Sequence, residues 1–289
     1  MDLSQLLFTG VAQGCIYGLI ALGFVLIYKA TEMVNFAQGD LMMIGAFVAF
    51  TLIAGLGLPY WLGLLGAVLV LAAAGYLLDV VLLRPLSGQP AFAVVILTIS
   101  LGFVLRAVAG VVWGHNPVSF ATPFSGKLLT VGPAMIAQEN VAIIFGTLLL
   151  CGLLYLFFRH TRVGVAMQAV AQNQLAAYYM GIPVKRLSST IWAISAAVAA
   201  VAGVLMAPVA LIEPQMGFLG IKAFAAAVIG GFGSLPGALL GGLIVGLGEQ
   251  FAGAWLGQGF KEATAYLLML TVLVMRPGGL LAQVRRKKV

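Results

Sequence analysis

Long apolar runs, separated by short polar connections, recur along this chain of 289 residues and restrict the folds open to it. A run of about 20 apolar residues spans a bilayer as a helix, because a helix satisfies its own backbone hydrogen bonds. The runs lie at 5–28, 39–57, 61–83, 91–113, 139–158, 189–210, 222–234, 236–254 and 262–276. We therefore expect an all-α, polytopic transmembrane helical bundle of about eight or nine passes, forming one domain over residues 1–289.

The composition excludes a water-soluble globule. Hydrophobic residues make up 62% of the chain and charged residues 8%, and the mean hydropathy is +1.12. So little polar surface cannot cover a soluble domain. The net charge of +7 does not indicate nucleic-acid binding, because most of the cations lie at the ends of apolar runs, between them or in the basic tail at 285–288. At such positions they orient a protein in the lipid bilayer and meet anionic lipid.

The distribution of cations predicts the orientation. No cation precedes Lys29, and the first residues lack the basic region of a cleaved signal peptide. If 222–234 and 236–254 are two passes, one side of the membrane receives Lys29, Arg84, the loop 159–187 and the basic tail. Short basic loops stay in the cytoplasm. We therefore expect the N-terminus outside and the C-terminus in the cytoplasm.

Two polar or glycine-rich segments, 29–40 and 230–242, interrupt the apolar pattern. Irregular backbone at membrane depth needs partners from protein or a water-filled cavity, and transporters use such breaks to expose helix ends to a solute. We therefore expect broken or re-entrant helices beside a translocation path. The residues expected to line it are Asn35, Phe36, Gln38, Phe232 and Ser234. The alternative is that the segments only pack or dip into the membrane interface.

The loop 159–187 holds four cations, one histidine and no carboxylate. Its middle part, 166–180, predicts one short helix, closed by Gly181 and Pro183. The positions that share one face of such a helix are Met167, Val170, Gln174 and Tyr178. A short, half-apolar helix on the cytoplasmic side indicates a cytosolic partner. The alternative is a solvated connector whose cations only follow the positive-inside rule.

Glycine spacing predicts close contacts between helices. Gly10, Gly14 and Gly18 recur every four residues on one face of the first run. The pairs Gly237/Gly241 and Gly242/Gly246 repeat this spacing near the end of the chain. Small residues at that interval let helix backbones approach one another.

Several kinds of chemistry are not expected. The chain has no phosphate-binding loop of the form G-x-x-x-x-G-K-[ST], so it should not hydrolyse ATP itself. His115 and His160 fall on opposite predicted sides, and Cys15 and Cys151 lie inside apolar runs. We therefore expect no catalytic residues, no metal, no disulfide and no cofactor.

The ionisable residues Asp79, Arg106 and Glu249 lie inside the runs and are functional candidates, because a charge in lipid is costly. Asp79 and Glu249 are near the ends of their runs, where we expect them to snorkel or face headgroups. Arg106 is deeper and is expected to pair with a partner helix. Since none of the carboxylates is central, a proton-coupled carrier receives weak support.

The loop 159–187 resembles the coupling loop of ATP-binding-cassette importer permeases, R-x-x-R-x-G-x-A-x-x-A-x-A followed by an Ala-rich stretch and G-I. The matching positions are Arg159, Arg162, Gly164, Ala166, Ala169, Ala171, Ala177 and Gly181–Ile182. The chain departs from the pattern at Val165, Gln168 and Gln172–Asn173, where the family often carries charges. The resemblance implies that Gly164, Ala166, Ala169, Tyr178 and Gly181 belong to an ATPase-coupling loop.

Other motifs extend this resemblance along nearly the whole chain. The sequence VNFAQGD at 34–40 and the segment 43–46 look like the early signature of the branched-chain amino-acid permease family. The segments 213–217, 222–224 and 226–242, together with Lys261 and 276–280, look like its late signature. The chain is identified as a member of this family, similar to its shorter permease subunit.

The resemblance implies a transport subunit, not an enzyme, of an ATP-driven importer in the bacterial inner membrane. The implied partners are a second related permease, two cytoplasmic ATP-binding subunits and an extracytoplasmic solute-binding protein that confers most of the specificity. The implied substrates are branched-chain or related amino acids, with urea, short amides or other small organic solutes as alternatives. A stand-alone secondary carrier and a scaffold subunit also remain open.

Overall fold

Helices account for most of the residues described by the computed structural model, which are 3–86, 88–131 and 134–281. The α-helices are α1 (Leu3–Thr31), α2 (Gln38–Phe50), α3 (Tyr60–Leu78), α4 (Ala91–Trp113), α5 (Gln138–His160), α6 (Arg162–Gln172), α7 (Gln174–Tyr179), α8 (Val184–Met206), α9 (Leu219–Gly230), α10 (Leu235–Trp255) and α11 (Gln258–Met275). The predicted all-α, polytopic bundle is confirmed. The basic tail at 285–288 lies outside the described residues.

Each of the nine predicted runs corresponds to a helix. Among the described residues, seven helices are long and apolar enough to cross a bilayer, and a shorter apolar one covers Pro214–Gly230. The α2 and α3 helices are extended by π-helical turns at Thr51–Gly55 and Asp79–Leu83. A hairpin of β1 (Leu128–Val131) and β2 (Ala134–Ala137), which the sequence did not predict, lies in the connection before α5.

The α1 helix is the centre of the bundle. Its most apolar window is 89% buried, whereas that of α5 is 11% buried and lies at the periphery. The longest contact of α1 is with the antiparallel helix α10. There Gly10, Gly14 and Gly18 face Leu247, Leu243 and Leu239, so residue numbers rise along one helix as they fall along the other.

Glycine permits this contact between α1 and α10. A Cβ atom on Gly14 would lie 2.7 Å from Leu243 Cα, closer than real Cβ atoms approach backbone. In return, Gly242 and Gly246 of α10 lie directly on the α1 backbone. The predicted packing role of these glycines is confirmed.

Lys29, Arg84 and the loop 159–187, which were predicted to share one side, lie at one end of the bundle, whereas Lys127 lies beside the hairpin at the other. Gln174 donates to the carbonyl of Ala30, next to Lys29 at the end of α1. Arg84 donates to the carbonyl of Lys185, 3.4 Å away. We call this the basic end. The opposite end carries the hairpin and the hydrogen bond from Asn140 to Thr9.

After α11 the chain turns back at the basic end as a short strap, residues 276–281. The backbone N–H groups of Leu280 and Leu281 donate to the carbonyls of Ile229 and Gly230, at 2.8 and 3.2 Å. These carbonyls belong to the last turn of α9, where helix geometry leaves acceptors without partners. The strap therefore completes the end of α9.

We expect replacement of Gly14 by Leu to lower the free energy of unfolding by about 1–3 kcal/mol or to prevent assembly, because the new side chain would meet backbone rather than a movable side chain. The matched control is Gly152→Leu on α5, where an added Cβ meets nothing within 4 Å. Thermal unfolding in detergent, followed by size-exclusion chromatography, measures the difference. Equal stability of the two variants would contradict the proposed close packing.

Candidate functional site: a polar junction inside the bundle

The α2 helix begins inside the membrane layer and not at its surface. After α1 ends at Thr31 the chain reverses, with Glu32 at a φ of 56°, and α2 starts at Gln38. The Gln38 side chain lies directly against Gly23, eight residues before the end of α1. At 1.5 Å per residue this is about 12 Å from the basic end. The predicted break at 29–40 is therefore a re-entrant segment.

Polar side chains of the protein itself provide hydrogen-bond partners for the polar groups of this buried turn. Asn35 accepts a hydrogen bond from the Ala37 N–H at 3.1 Å and donates to Gln38 Oε1 at 3.3 Å. Gln38 Nε2 donates to the carbonyl of Ser195 on α8 at 3.2 Å, and Ser195 Oγ lies 3.0 Å from Gln38 Oε1. Asn35, Gln38 and Ser195 are fully buried. In this conformation they hold the turn together, and direct contact with a solute stays a prediction.

The second break separates α9 from α10 at residues 231–234. Gly231 adopts a φ of +95°, a conformation that favours glycine, and so ends α9. Ser234 caps α10, because its Oγ accepts a hydrogen bond from the Gly237 N–H at 3.1 Å. A break at 230–242 was predicted, and the structure limits it to these four residues, since Gly230 lies in α9 and the later glycines lie inside α10.

An aromatic stripe connects the two breaks. Phe36 from the first break and Phe232 from the second both contact the ring of Phe224 on α9, with centroid distances of 5.4 and 5.5 Å. Phe232 also contacts Tyr28 at 5.0 Å, close to the basic end. The structure thus brings together two residues that are 196 positions apart in the sequence. Sequence reasoning missed Phe224, although it lies within the signature segment 222–224.

An ion pair stands at the start of α2. Arg106 of α4 donates through Nε to Asp40 Oδ1 at 2.6 Å and through Nη2 to Oδ2 at 3.3 Å. Asp40 is 2% exposed, and the guanidinium lies over the ring of Phe218, 3.8 Å from its centroid. Arg106 therefore has a partner helix, as expected, and the partner is Asp40 on α2. Asp40 was not predicted as this partner, because nothing in the spacing shows that α2 and α4 meet there.

The expectation that Asp79 faces headgroups or snorkels was wrong. Asp79 is buried and accepts hydrogen bonds from Ser188 at 3.0 Å and Ser189 at 2.6 Å, both on α8. Arg84 Nη2 lies 3.8 Å away. Hydroxyl donors from a neighbouring helix make burial of the carboxylate tolerable.

Glu249 is buried as well, again contrary to expectation. It accepts a hydrogen bond from the Tyr17 hydroxyl at 2.7 Å, and Lys222 Nζ lies 3.0 Å from its other oxygen. Lys222 also pairs with the exposed Glu262 at 2.8 Å. The cluster joins α1, α9, α10 and α11, an arrangement that positions within single helices cannot reveal.

The loop 159–187 contains two helices, so the single helix predicted over 166–180 was wrong. The break is at Asn173, which has an extended backbone and whose Oδ1 accepts a hydrogen bond from the Ala176 N–H at 2.9 Å, capping α7. Asparagine favours such caps over helix interiors, because its side chain competes for backbone groups. Thr161 caps α6 in the same way, through the Gly164 N–H at 2.9 Å.

The break separates residues that were expected on one face. Met167 and Val170 are buried against the bundle, whereas Tyr178 is 67% exposed. Gly164 packs on the backbone of Phe157 and Phe158.

The remaining coupling-loop residues differ in their exposure. Ala166 and Ala169 are partly buried, and Gly181 ends the segment at a φ of +79°. The exposed apolar residues form what we call the α7 patch: Leu175, Tyr178, Tyr179 and Met180. Of the four, only Tyr178 was predicted to be a coupling residue.

No metal-binding chemistry is visible in the part of the chain that the structure describes. It contains no group of three or more His, Cys, Asp or Glu residues that could hold a metal ion. Cys15 and Cys151 are free thiols.

Comparisons with known proteins agree on one family. A family model described as branched-chain amino acid transport system / permease component matches residues 6–276. The high-affinity branched-chain amino acid transport system permease protein LivH of Escherichia coli K12 is 35% identical over 300 residues, which cover 99% of this chain and 97% of LivH. The corresponding protein LivM of the same organism is 26% identical over 300 residues, covering 93% of this chain and 68% of LivM.

One solved structure has the same fold. PsaBC from Streptococcus pneumoniae in complex with Fab superposes with a TM-score of 0.52 at 15% identity. The match covers 95% of this chain and 92% of the PsaBC chain.

We expect Asp40→Asn alone to destabilise the protein by about 3–5 kcal/mol, because it leaves Arg106 without its counterion in the bundle. The double variant Asp40→Asn/Arg106→Gln should recover most of this loss, since neither unpaired charge remains. Thermal unfolding of the wild type, both single variants and the double variant measures the coupling. Additive losses in the double variant would show that the pair contributes no interaction free energy.

Proposed function

The chain belongs to the family of branched-chain amino acid permease components, and we propose that it forms part of the translocation path of an ATP-driven importer of branched-chain or related amino acids. It is an integral membrane protein and a transport subunit, not an enzyme. The observation that carries the proposal is the meeting of the two helix breaks at Phe224, within the membrane-spanning part of the bundle.

The aromatic stripe supplies the constriction of the proposed path. Phe36, Phe224 and Phe232 are in mutual contact or share a neighbour, and Phe36 is exposed on one side. Ser234 lies beside Phe232, while Asn35 and Gln38 lie behind Phe36. We propose that Asn35 and Gln38 contact the solute only when the re-entrant turn loosens. Such neutral contacts are weak, about 1 kcal/mol each, which permits release.

A direct route leads from the loop 159–187 to the re-entrant turn. Gln174, the first residue of α7, donates to the carbonyl of Ala30 in the last turn of α1. Six residues later the re-entrant turn places Phe36 on the stripe. Movement of α7 by a partner would therefore displace the end of α1 and the turn together.

The α7 patch is the proposed docking surface for a cytoplasmic ATP-binding subunit. It presents apolar side chains at a cationic end of the molecule, and a short apolar helix surface suits recognition in a groove. Gly164, Ala166 and Ala169 then position the patch by packing α6 against α5 and the bundle. A carrier that works alone has no need of such a surface, and a scaffold has no need of the two breaks at 29–40 and 230–242.

The proposed complex contains this chain, a second related permease, two ATP-binding subunits and an extracytoplasmic solute-binding protein. The relatives LivH and LivM carry the name of one transport system, and this chain is similar to both. A heteromeric pair of permeases in the bacterial inner membrane is consistent with that relationship.

Reconstitution of the complex in vesicles tests the function. We expect uptake of leucine, isoleucine or valine that requires both ATP and the cognate binding protein. Uptake that continues without the ATP-binding subunits would favour a secondary carrier, and uptake of urea in place of amino acids would favour the alternative substrates.

We expect the basic end to face the cytoplasm, with the N-terminus outside and the C-terminus inside, because Lys29, Arg84 and the loop 159–187 gather there. In a variant lacking Cys15 and Cys151, a cysteine introduced in place of exposed Arg186 should react with impermeant maleimide only after the membrane is opened. A cysteine in place of Asn116, at the opposite end, should react in intact cells. The reverse pattern would refute this orientation.

We expect Tyr179→Glu or Met180→Glu in the α7 patch to abolish coupling between ATP hydrolysis and uptake, because a buried carboxylate would oppose docking in an apolar groove. The matched control is Leu128→Glu, another exposed apolar residue, at the opposite end. Co-purification with the ATP-binding subunits and uptake in vesicles are the measurements. Normal coupling in both patch variants would favour the solvated-connector alternative.

A further inference from the structure

Arg106 is a cation at membrane depth on an exposed face of the chain. It lies seven residues before the end of α4, which corresponds to about 10 Å below the end opposite the basic end. Its side chain is 19% exposed. On the same face, Phe103 and Phe218 flank the guanidinium and are 61% and 48% exposed. Phe36 of the aromatic stripe contacts the same helix nearer the basic end, where its backbone N–H donates to Thr98 Oγ1, eight residues before Arg106.

One edge of the guanidinium has no hydrogen-bond partner among the residues that the structure describes. Asp40 occupies the edge formed by Nε and Nη2, and the Phe218 ring covers one face. Nη1 makes no hydrogen bond to any residue that the structure describes. It is also not one of the buried side-chain nitrogen and oxygen atoms that lack a hydrogen-bond partner, so it is accessible from outside the chain. Lipid tails cannot accept hydrogen bonds, so a donor that faces outward here needs water, a solute or another protein.

We infer that the Nη1 edge of Arg106 binds the carboxylate of the amino acid in transit, while the apolar side chain of the amino acid rests on Phe103 and Phe218. This inference rests on the proposed function. Planar guanidinium groups are suited to carboxylates. Asp40 acts as a positioning residue, since it holds the guanidinium in place and is too buried to meet the ammonium group of the substrate.

The arrangement predicts both selectivity and release. A solute must carry both a carboxylate and an apolar group to use the two parts of the site. Urea and short amides do not combine these two groups. Because Asp40 already neutralises most of the charge of Arg106, the attraction for a second carboxylate is weakened. The site therefore binds the solute weakly and briefly near the outer end, where solute enters from the binding protein.

A competing carboxylate one turn away tests the site while the Arg106–Asp40 pair stays in place. Phe103→Glu places a carboxylate beside the free edge of Arg106, and Phe103→Gln is the matched neutral control. We expect kcat/KM for leucine uptake by the reconstituted complex to fall roughly tenfold or more in the Glu variant relative to the Gln variant. Equal values in the two variants would overturn the inference.

Direct binding provides a second readout. Saturation-transfer NMR of the complex without its binding protein should detect leucine and 4-methylpentanoate, which carry a carboxylate, but not leucinol, which lacks one. Asp40→Asn/Arg106→Gln should lose both signals, whereas Lys222→Met/Glu249→Gln, which neutralises another buried pair, should keep them. Equal signals from leucinol, or signals unchanged in the Asp40/Arg106 variant, would refute the site.

The outcomes separate this inference from the proposed function. If the wild-type complex transports leucine and the Phe103→Glu and Phe103→Gln variants do so equally well, the function stands and the site is wrong. If the wild-type complex transports no amino acid with any amino-acid-binding protein, the function itself fails.

Discussion

A polar group that is buried in a bilayer without a partner costs several kcal/mol, and this requirement governs the interior of the bundle. The re-entrant turn before α2 is possible because Asn35, Gln38 and Ser195 replace the water that its backbone would otherwise need. The start of α2 also carries a charge, Asp40, which a cation on α4 balances. Without these partners the turn would move to the membrane surface, and the stripe would lose Phe36.

The same requirement explains where the helices meet. The Asp79 carboxylate binds α3 to α8, and the Glu249 carboxylate joins α10 to α1 and α9. Glycine contacts between α1 and α10 supply the remaining close packing. The hydrogen bonds and ion pairs require particular directions between the groups, and the glycine contacts require a short distance between helix axes. Together they select one arrangement of helices whose apolar surfaces are otherwise similar.

The sequence predicted the helices better than their partners. Each of the nine apolar runs corresponds to a helix, seven of which are long and apolar enough to cross a bilayer, because lipid imposes length and composition directly. Glycine spacing located the contact face of α1 correctly. The sequence did not reveal that Asp40 and Arg106 pair, or that Asp79 and Glu249 are buried, because each carboxylate depends on donors from other helices.

The candidate site was predicted in part, through the positions of the two breaks. Phe36 and Phe232 were chosen separately, and only the fold shows that Phe224 joins them. In the loop 159–187 the apolar periodicity suggested one helix, whereas the local capping preference of Asn173 produced two. That break turns α7 outward and exposes Tyr179 and Met180, which periodicity alone had left unassigned.

The strap after α11 has a consequence for the biogenesis of the protein. The carbonyl groups of Ile229 and Gly230 are translated about 50 residues before the N–H groups of Leu280 and Leu281 that complete them. While a ribosome still holds the chain, α9 has an open end, and the adjoining Gly231 lacks the strap residue Gly279 that packs against it. The segment that shapes the break between α9 and α10 therefore takes its final form only after α10 and α11 have been inserted, so membrane insertion precedes completion of the proposed path.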